Sequence, residues 1–580
     1  MSRKELSLSA EKIQPFDLEH LREKAAQMNQ RQMETPTTPF PKDPSRWLSH
    51  YRFEPRSVAF TSEGEVEGKL SWLMGSLFDF SFTRSVFAPY YSKEGGHCFD
   101  PASLFFLEMA GWVDLYSDRA AFRKDLIQQE SGRRYWELAG LTGSIPDEVD
   151  LSNFRYRVGS QAIDSLLAQF VLFFKEFGLI KGELLTTDGY LVPSYCRFKG
   201  CAYFCEGCRE LPLSQAHRQE LGQQLANGAK RLQLLCPFPE VVQKVREATT
   251  KKGKPRLPQV ALLEVKYLPP TQSKGSHHLW LAELLGLSAD KLPPLKIRWC
   301  HLQQGPRGEL WARCPKVPSD LEGRVGYHVD NKNPEKKELV DGYNDLRTTD
   351  KNEDLDLEMP VAHSTYQANA NEGNCCLQHR AKVPLPRVPE GVEVFDGAYD
   401  QISIYQEIRR TQGIPIIAYN PRNEKLSPEA LRERGYDENG TPYAPCGRLC
   451  RSNGYNAQAN SRLYVCGLHC PPEEQKACPH GQKVRGYSQR MSFADYPRLI
   501  GPIQRGTPAW ETLYAARSAS ERINSYDQEV ILKGRPPRLR GLKAFSFSGA
   551  IRTLAQLLRR AINFVLDVTY TQGKLLAAKT

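Results

Sequence analysis

The sequence predicts an α/β protein in which a mixed β-sheet follows a helical N-terminal region. Three observations carry this. Apolar residues recur at three- and four-residue steps in SLFFLEMAGWVDLY (103–116) and SQAIDSLLAQFVLFFKEFGL (160–179), the period of a buried helical face. ELLTTDGYLV (183–192), GVEVFD (391–396) and IPIIAY (414–419) are short runs of β-branched and apolar residues, which signal strands. ISIYQEIRRTQG (402–413) has the pattern of an amphipathic helix, and strands alternating with helices favour a layered α/β core.

Taken in order, residues 1–70 are polar and proline-rich around TPTTPFPKDPSRW, and are expected to form a loose arm. Residues 71–180 form the helical domain. Within it DEVDLSNFRYRVG (147–159) has an Asp or Ser start signal with arginines close behind, which suits either DNA contact or plain packing. An α/β core is expected over 181–570, with insertions at about 195–322 and about 422–505. The first insertion holds the basic run TTKKGKPR and many prolines. Strand-like segments resume at RVGYHVD (324–330) and EMPVAHSTY (358–366), and the polar run between them reads as an exposed excursion. TPAWETLYAARSASERINSYDQEVIL (507–532) reads as one long helix.

At 580 residues the chain is long enough for two to four domains. Hydrophobic residues at 40% and charged residues at 25% fit a globular protein rather than a disordered one. No apolar run reaches bilayer length, and MSRKELSLSAEKIQPF lacks an apolar signal core. A cytosolic, nucleoid-associated location is therefore expected, where the fifteen cysteines serve as thiols or metal ligands rather than disulfides. Of the net charge of +11, the segment 533–580 supplies +9, ten Lys or Arg against the single acid Asp567. Such a concentration suits a phosphate backbone, although charge alone fits a solvated helical face equally well. Neither G-x-G-x-x-G nor G-x-x-x-x-G-K-[ST] occurs, so no nucleotide cofactor is expected.

Three carboxylates stand out. Asp188 follows Leu184, Leu185, Thr186 and Thr187, Asp396 follows Val392, Val394 and Phe395, and each precedes a glycine. Glu521 shares a helical face with Tyr514, Arg517, Asn524 and Gln528, all spaced three or four apart. Carboxylates held on strands and a helix are the ligands that hard divalent cations prefer for phosphodiester chemistry. Each alone has a plainer reading: a turn or cap residue for the aspartates, a surface ion-pair set for the helix. Asp341, Asp400 and Asp330 are rivals for the second position.

TTDGYLVPS, the FDGAYD-to-AYNPRN segment and the Tyr514-x2-Arg517-x3-Glu521 pattern together resemble the DDE transposases of bacterial insertion sequences, in the group whose last motif is Tyr-Arg-Glu-Lys. The similarity runs from about Phe78 to Phe564 and includes FDPASLFFLEMAGW and DLSNFRYRVG. It implies a ribonuclease-H-like mixed-sheet core, with the first Asp on the first strand, the second after the fourth and the Glu on a later helix. It also implies Mg²⁺ or Mn²⁺ on Asp188, Asp396 and Glu521, and double-stranded DNA as partner, as transposon ends and target. Tyr514 and Arg517 would contact DNA phosphate, and the active complex would be a homodimer. The family lysine is Gln528 here, for which Lys533 could partly substitute. The same resemblance sets the C-terminal helix against the core, so that Arg538 and Arg540 in the preceding loop, and Arg552, Arg559 and Arg560 on the helix, could track phosphates.

Cys446, Cys450, Cys466 and Cys470 repeat C-G-x-x-C, with Cys478 and His480 beyond, and suit a structural zinc. Cys196, Cys201, Cys205 and Cys208 form a second cluster. His328 and His363 read as core histidines. The sequence therefore points to a transposase. The alternatives are a domesticated or inactive DNA-binding relative or nuclease of the same fold, and a zinc-containing nucleic-acid-binding regulator.

Overall fold

A computed structural model of the chain describes residues 14–35, 38–55, 68–94, 96–116, 119–128, 130–194, 320, 322–330, 333–421, 427–467, 470–535 and 537–577. Between 195 and 319 it describes four strands. Two compact units result, Met1–Val192 with Tyr343–Thr580, and Pro193–Gly342.

The larger unit is mixed α/β. Its helices include α1 (Leu18–Glu34), α2 (Leu70–Leu77), α3 (Pro101–Val113) and α4 (Glu148–Phe177). Asp147 and Asp150 close a reciprocal capping box at the start of α4, satisfying backbone donors that would otherwise be orphaned. The sheet uses β1 (Leu184–Pro193), β2 (Asn333–Asn352), β3 (Leu357–Gln367), β4 (Val392–Phe395) and β5 (Ile414–Ile417). Their order is β5-β4-β1-β2, with β3 paired to β2. β4 runs parallel to both β1 and β5, and β3 runs antiparallel to β2. Helices α5 (Glu372–Arg380) and α6 (Ile402–Arg410) connect these strands. A three-stranded antiparallel sheet follows: β6 (Arg451–Asn456), β7 (Ser461–Val465) and β8 (Ser488–Ser492). Then come α7 (Pro508–Ala515), α8 (Ser518–Tyr526) and the long α9 (Leu542–Ala577).

One apolar core joins the N-terminal helices to the sheet. Phe106 of α3, Phe170 and Phe174 of α4, Met359 and Val361 of β3, and Leu554, Leu558 and Ile562 of α9 all belong to it and are fully buried. Ile551, Leu554, Leu558, Ile562 and Val565, spaced three or four apart on α9, form the face that packs. Among the described residues no helix is long and apolar enough to cross a membrane.

Four expectations need correction. The loose arm contains α1, whose Leu18, Leu21 and Ala25 are buried in the core, because apolar residues recur there at helical spacing despite the polar composition. The segment 507–532 is not one helix: α7 ends at Ala515, α8 starts at Ser518, and a π-helical turn spans Asp527–Ile531. The C-terminal arginines do not lie open to phosphate. Arg552 is wholly buried, Arg559 donates to the Val113 carbonyl and to Tyr526, and Arg560 pairs with Glu358. The polar excursion after 330 is β2, which is buried from Gly342 to Asp350.

That last case has a clear cause. The guanidinium groups of Arg347 on β2 and Arg552 on α9 both reach Asp527, at 2.9 and 3.1 Å, and Arg552 also meets Asp345 on β2 at 2.8 Å. Tyr190 of β1 donates to Asp527, and His363, a core histidine as expected, sits 3.3 Å from Asp345. Charges so deep in the interior persist only when paired, and here each pairing crosses between elements.

The smaller unit contains an antiparallel sheet of Val245–Arg246, Gln259–Val265, Leu295–Gln304 and Leu310–Ala312, in that order. Arg324–Asp330 pairs separately with the first part of β2. The first cysteine cluster, His277 and His278 lie outside the described residues, as does the side chain of His328.

Asp527→Ala leaves Arg347 and Arg552 short of a buried partner and should cost about 3–5 kcal/mol, measured by urea unfolding. Burial pushes the Asp527 carboxyl up, but Arg347, Arg552 and the Tyr190 hydroxyl outweigh it and hold it below the ordinary range. A depressed folded pKa gives stability that is present above about pH 4 and lost as pH falls through the folded value. The gap between wild type and variant should therefore narrow in acid. A cost below about 1 kcal/mol would show that the network contributes little to stability.

Candidate active site

Parallel pairing of β1 and β4 sets Leu184, Leu185 and Thr186 opposite Val392, Glu393 and Val394. Two residues further along each strand direction come Asp188 and Asp396, so the same register carries both carboxylates to one level on neighbouring strands, which lie about 4.8 Å apart. Asp188 stands within β1 rather than at its end, since the strand continues to Pro193. Asp396 immediately follows β4 and caps the short turn Gly397–Tyr399, accepting from the Ala398 amide at 2.7 Å. The plainer reading of Asp396 as a cap residue thus holds.

Gly189 shows why glycine must follow Asp188. A Cβ there would meet Oε1 of Glu372 at 2.6 Å and Oδ1 of Asn344 at 2.7 Å. The space beside Gly189 holds a further carboxylate, Glu372, in the first turn of α5. Asn344 donates to Glu372 at 2.7 Å. Sequence reasoning missed Glu372 because an acid one residue after an Asn N-cap is an ordinary first-turn residue, and no strand pattern marks it.

Glu521 lies on α8, exposed, and is held by Arg517 Nη1 at 2.7 Å. Tyr514 stacks on Trp510 with ring centroids 4.7 Å apart, and the Arg517 guanidinium lies over its ring at 5.8 Å. The expected stripe is only partly a single environment. Asn524 is buried with neither amide atom bonded, and Gln528 is half-buried.

The electrostatics tie these groups together. Burial, then the charges of Glu372 and Asp396, push the Asp188 carboxyl up to about 8, with Arg517 pulling the other way. Burial also raises Glu372, with Asp396 adding to it, and raises Asp396, with Glu521 adding to it. Carboxylates crowded so that one stays protonated near neutral pH lack positive charge. Such a donor set suits a hard cation with oxygen ligands, and the charges of Asp188, Glu372, Asp396 and Glu521 bear on one another here. Among the described residues, no three His, Cys, Asp or Glu side chains are yet gathered into a ligating set, and Glu521 is engaged by Arg517.

The rivals fall elsewhere. Asp400 is buried and bonded to Arg498, the Tyr405 hydroxyl and the Asn420 amide. Asp341 belongs to the smaller unit, within β2, as does Asp330 at the end of the strand Arg324–Asp330. Lys533, Arg538 and Arg540 are exposed in the segment leading to α9. No protein-family model, curated protein or solved structure matches the chain.

The raised Asp188 carboxyl makes a signed prediction. The folded state holds its proton up to about pH 8 while the unfolded chain loses it near pH 4. Stability from this group is therefore full below pH 4 and is lost as pH rises through 8. With chelator present, Asp188→Asn should be more stable than wild type at pH 9 by about 1–3 kcal/mol, allowing for solvent screening at this half-buried position. The two should converge at pH 4. An equal difference at both pH values would assign the effect to packing instead.

Proposed function

We propose that the protein is a DDE transposase with a ribonuclease-H-like core, cutting DNA at the ends of a mobile element and joining them to target DNA. The observation that carries this reading is the parallel register that brings Asp188 and Asp396 side by side, with Arg517 and Glu521 acting on them electrostatically. The first carboxylate on β1, the second directly after β4 and the third on α8 agree with the arrangement that the resemblance implies.

Asp188, Asp396 and Glu521, with Glu372, would hold Mg²⁺ or Mn²⁺. When bound, such ions lower the pKa of water and stabilise a leaving oxygen. The chain's own contribution is positional. The sheet fixes two carboxylates rigidly, and α8 presents the third on a different wall. Arg517 offers a guanidinium that can turn from Glu521 to a DNA phosphate, a fork geometry that suits phosphate oxygens. Tyr514, held by its stack on Trp510, lies beside it. Lys533, Arg538 and Arg540 supply exposed charge for backbone contacts that orient DNA without reading sequence. Exchange of one phosphodiester for another needs no nucleotide.

The test is cleavage and strand transfer on DNA carrying the element's own ends, with Mg²⁺ or Mn²⁺. Asp188→Ala, Asp396→Ala and Glu521→Ala should each bind DNA yet lose about a thousandfold or more in rate, since metal stabilisation of charge is worth several kcal/mol. Undiminished nicking by Asp188→Ala would remove the assignment. Binding without cutting by wild type would favour a non-catalytic relative. Glu372→Gln should weaken Mn²⁺ affinity about 10–100-fold, measured by calorimetry; unchanged affinity would exclude Glu372 from the site.

A further inference from the structure

The β6-β7-β8 sheet gathers cysteines at one end. Cys450 directly precedes β6, Cys466 directly follows β7, and Cys470, Cys478 and His480 occupy the connection from β7 to β8. Cys446 sits in the tight turn before them, where Tyr443 bridges Leu449 and Gly447 donates to the Ala444 carbonyl. Gly447 and Gly467, each following a cysteine, have φ of +78° and +64°. That left-handed backbone favours glycine and turns the chain sharply after each sulfur.

Cys446, Cys466, Cys470, Cys478 and His480 all line one cavity of about 480 Å³. The cysteines among them are free thiols, not disulfides. Two of the sulfurs already accept backbone amides: Cys466 Sγ from Tyr487 at 3.2 Å, and Cys478 Sγ from His480 at 3.4 Å. Nδ1 of His480 is buried beside them with no hydrogen-bond partner, an unpaired polar atom that calls for one. Cys450 behaves differently. It packs into an apolar cluster with Phe395, Tyr464 and Ile500, and burial, followed by Cys466 and Cys446, pushes its thiol up to about 11.

We propose that Cys446, Cys466, Cys470 and Cys478 bind a structural Zn²⁺ as four thiolates, with His480 hydrogen-bonding to the ligand shell. The site differs from the C-G-x-x-C repeat in exchanging Cys450 for Cys478. Each thiol gives up its proton on binding, and the sulfurs, no three of which yet form a ligating set, draw together across the cavity they line into a tetrahedron. The four positions are closed by protein, so the ion fastens the insertion and takes no part in chemistry. The proposal is independent of the DNA reading, since neither the carboxylates nor the basic segment enters it.

The test uses the full-length wild-type chain purified with zinc. Cysteines are alkylated with and without a strong chelator and mapped by peptide mass spectrometry. Cys446, Cys466, Cys470 and Cys478 should be protected until the chelator is added, and then react together, while Cys450 should not follow the metal. Cobalt(II) exchanged into the protein should show sulfur-to-metal charge transfer, which oxygen ligands at the carboxylate site do not give. Cys478→Ser should lose one equivalent of zinc per chain and Cys450→Ser should retain it. Chelator-independent labelling of the four cysteines overturns the proposal. So does metal-dependent protection that includes Cys450 in place of Cys478.

Discussion

Two arginines and two aspartates, sealed from solvent, decide how this protein is put together. Arg347, Arg552, Asp345 and Asp527 come from β2, α9 and the turn after α8, and Tyr190 adds β1. Apolar contacts tolerate small sliding of one element on another. A buried guanidinium does not, because each misaligned hydrogen bond leaves charge uncompensated in a medium of low dielectric. The network therefore acts as a register device. Tyr190 lies two residues beyond Asp188 on the same strand, and Asp527 lies six residues beyond Glu521. The clamp that joins Tyr190 to Asp527 thus sets the distance between the two walls of the carboxylate site from behind.

This also explains which parts of the fold were legible in the sequence. The strands around Asp188 and Asp396 and the apolar stripe of α9 follow simple periodicities, and local pattern sufficed to find them. β2 did not, because NDLRTTD looks like solvent-facing chain until Arg552 and Asp527 are supplied from far along the sequence. The same remoteness misleads for the C-terminal arginines. Charge counting sees a basic tail, whereas Arg552, Arg559 and Arg560 spend their charge and hydrogen bonds inside. Polar residues with partners more than a hundred positions away carry no local signal, so pattern reasoning places them at the surface by default.

The site was legible to a similar degree. Asp188, Asp396 and Glu521 stand out by strand pattern and helical spacing. Glu372 stands out only once α5 is folded against β1, where Gly189 makes room for it. Its presence changes the electrostatic problem: four acids and one arginine bear on one another's charge, and the proton on Asp188 relieves part of the repulsion. In the proposed site a cation would compete with that proton, so that occupancy and pH would be coupled through one residue.

The insertion of residues 194–332 between β1 and β2 has a kinetic consequence. The strands flanking it are neighbours in the sheet, yet on a ribosome β1 emerges long before its partner. Closing so long a loop adds only modest entropy, since each doubling of length costs about 0.6 kcal/mol, but contacts of high sequence separation slow folding. The charges of β2 then wait further, until α9 has been synthesised and Arg552 arrives. In that interval the nascent sheet presents unpaired edges and uncompensated acids, the kind of surface that chaperones hold and proteases cut. Cells would therefore see the yield of this protein set less by its final stability than by how well its unfinished forms are sheltered.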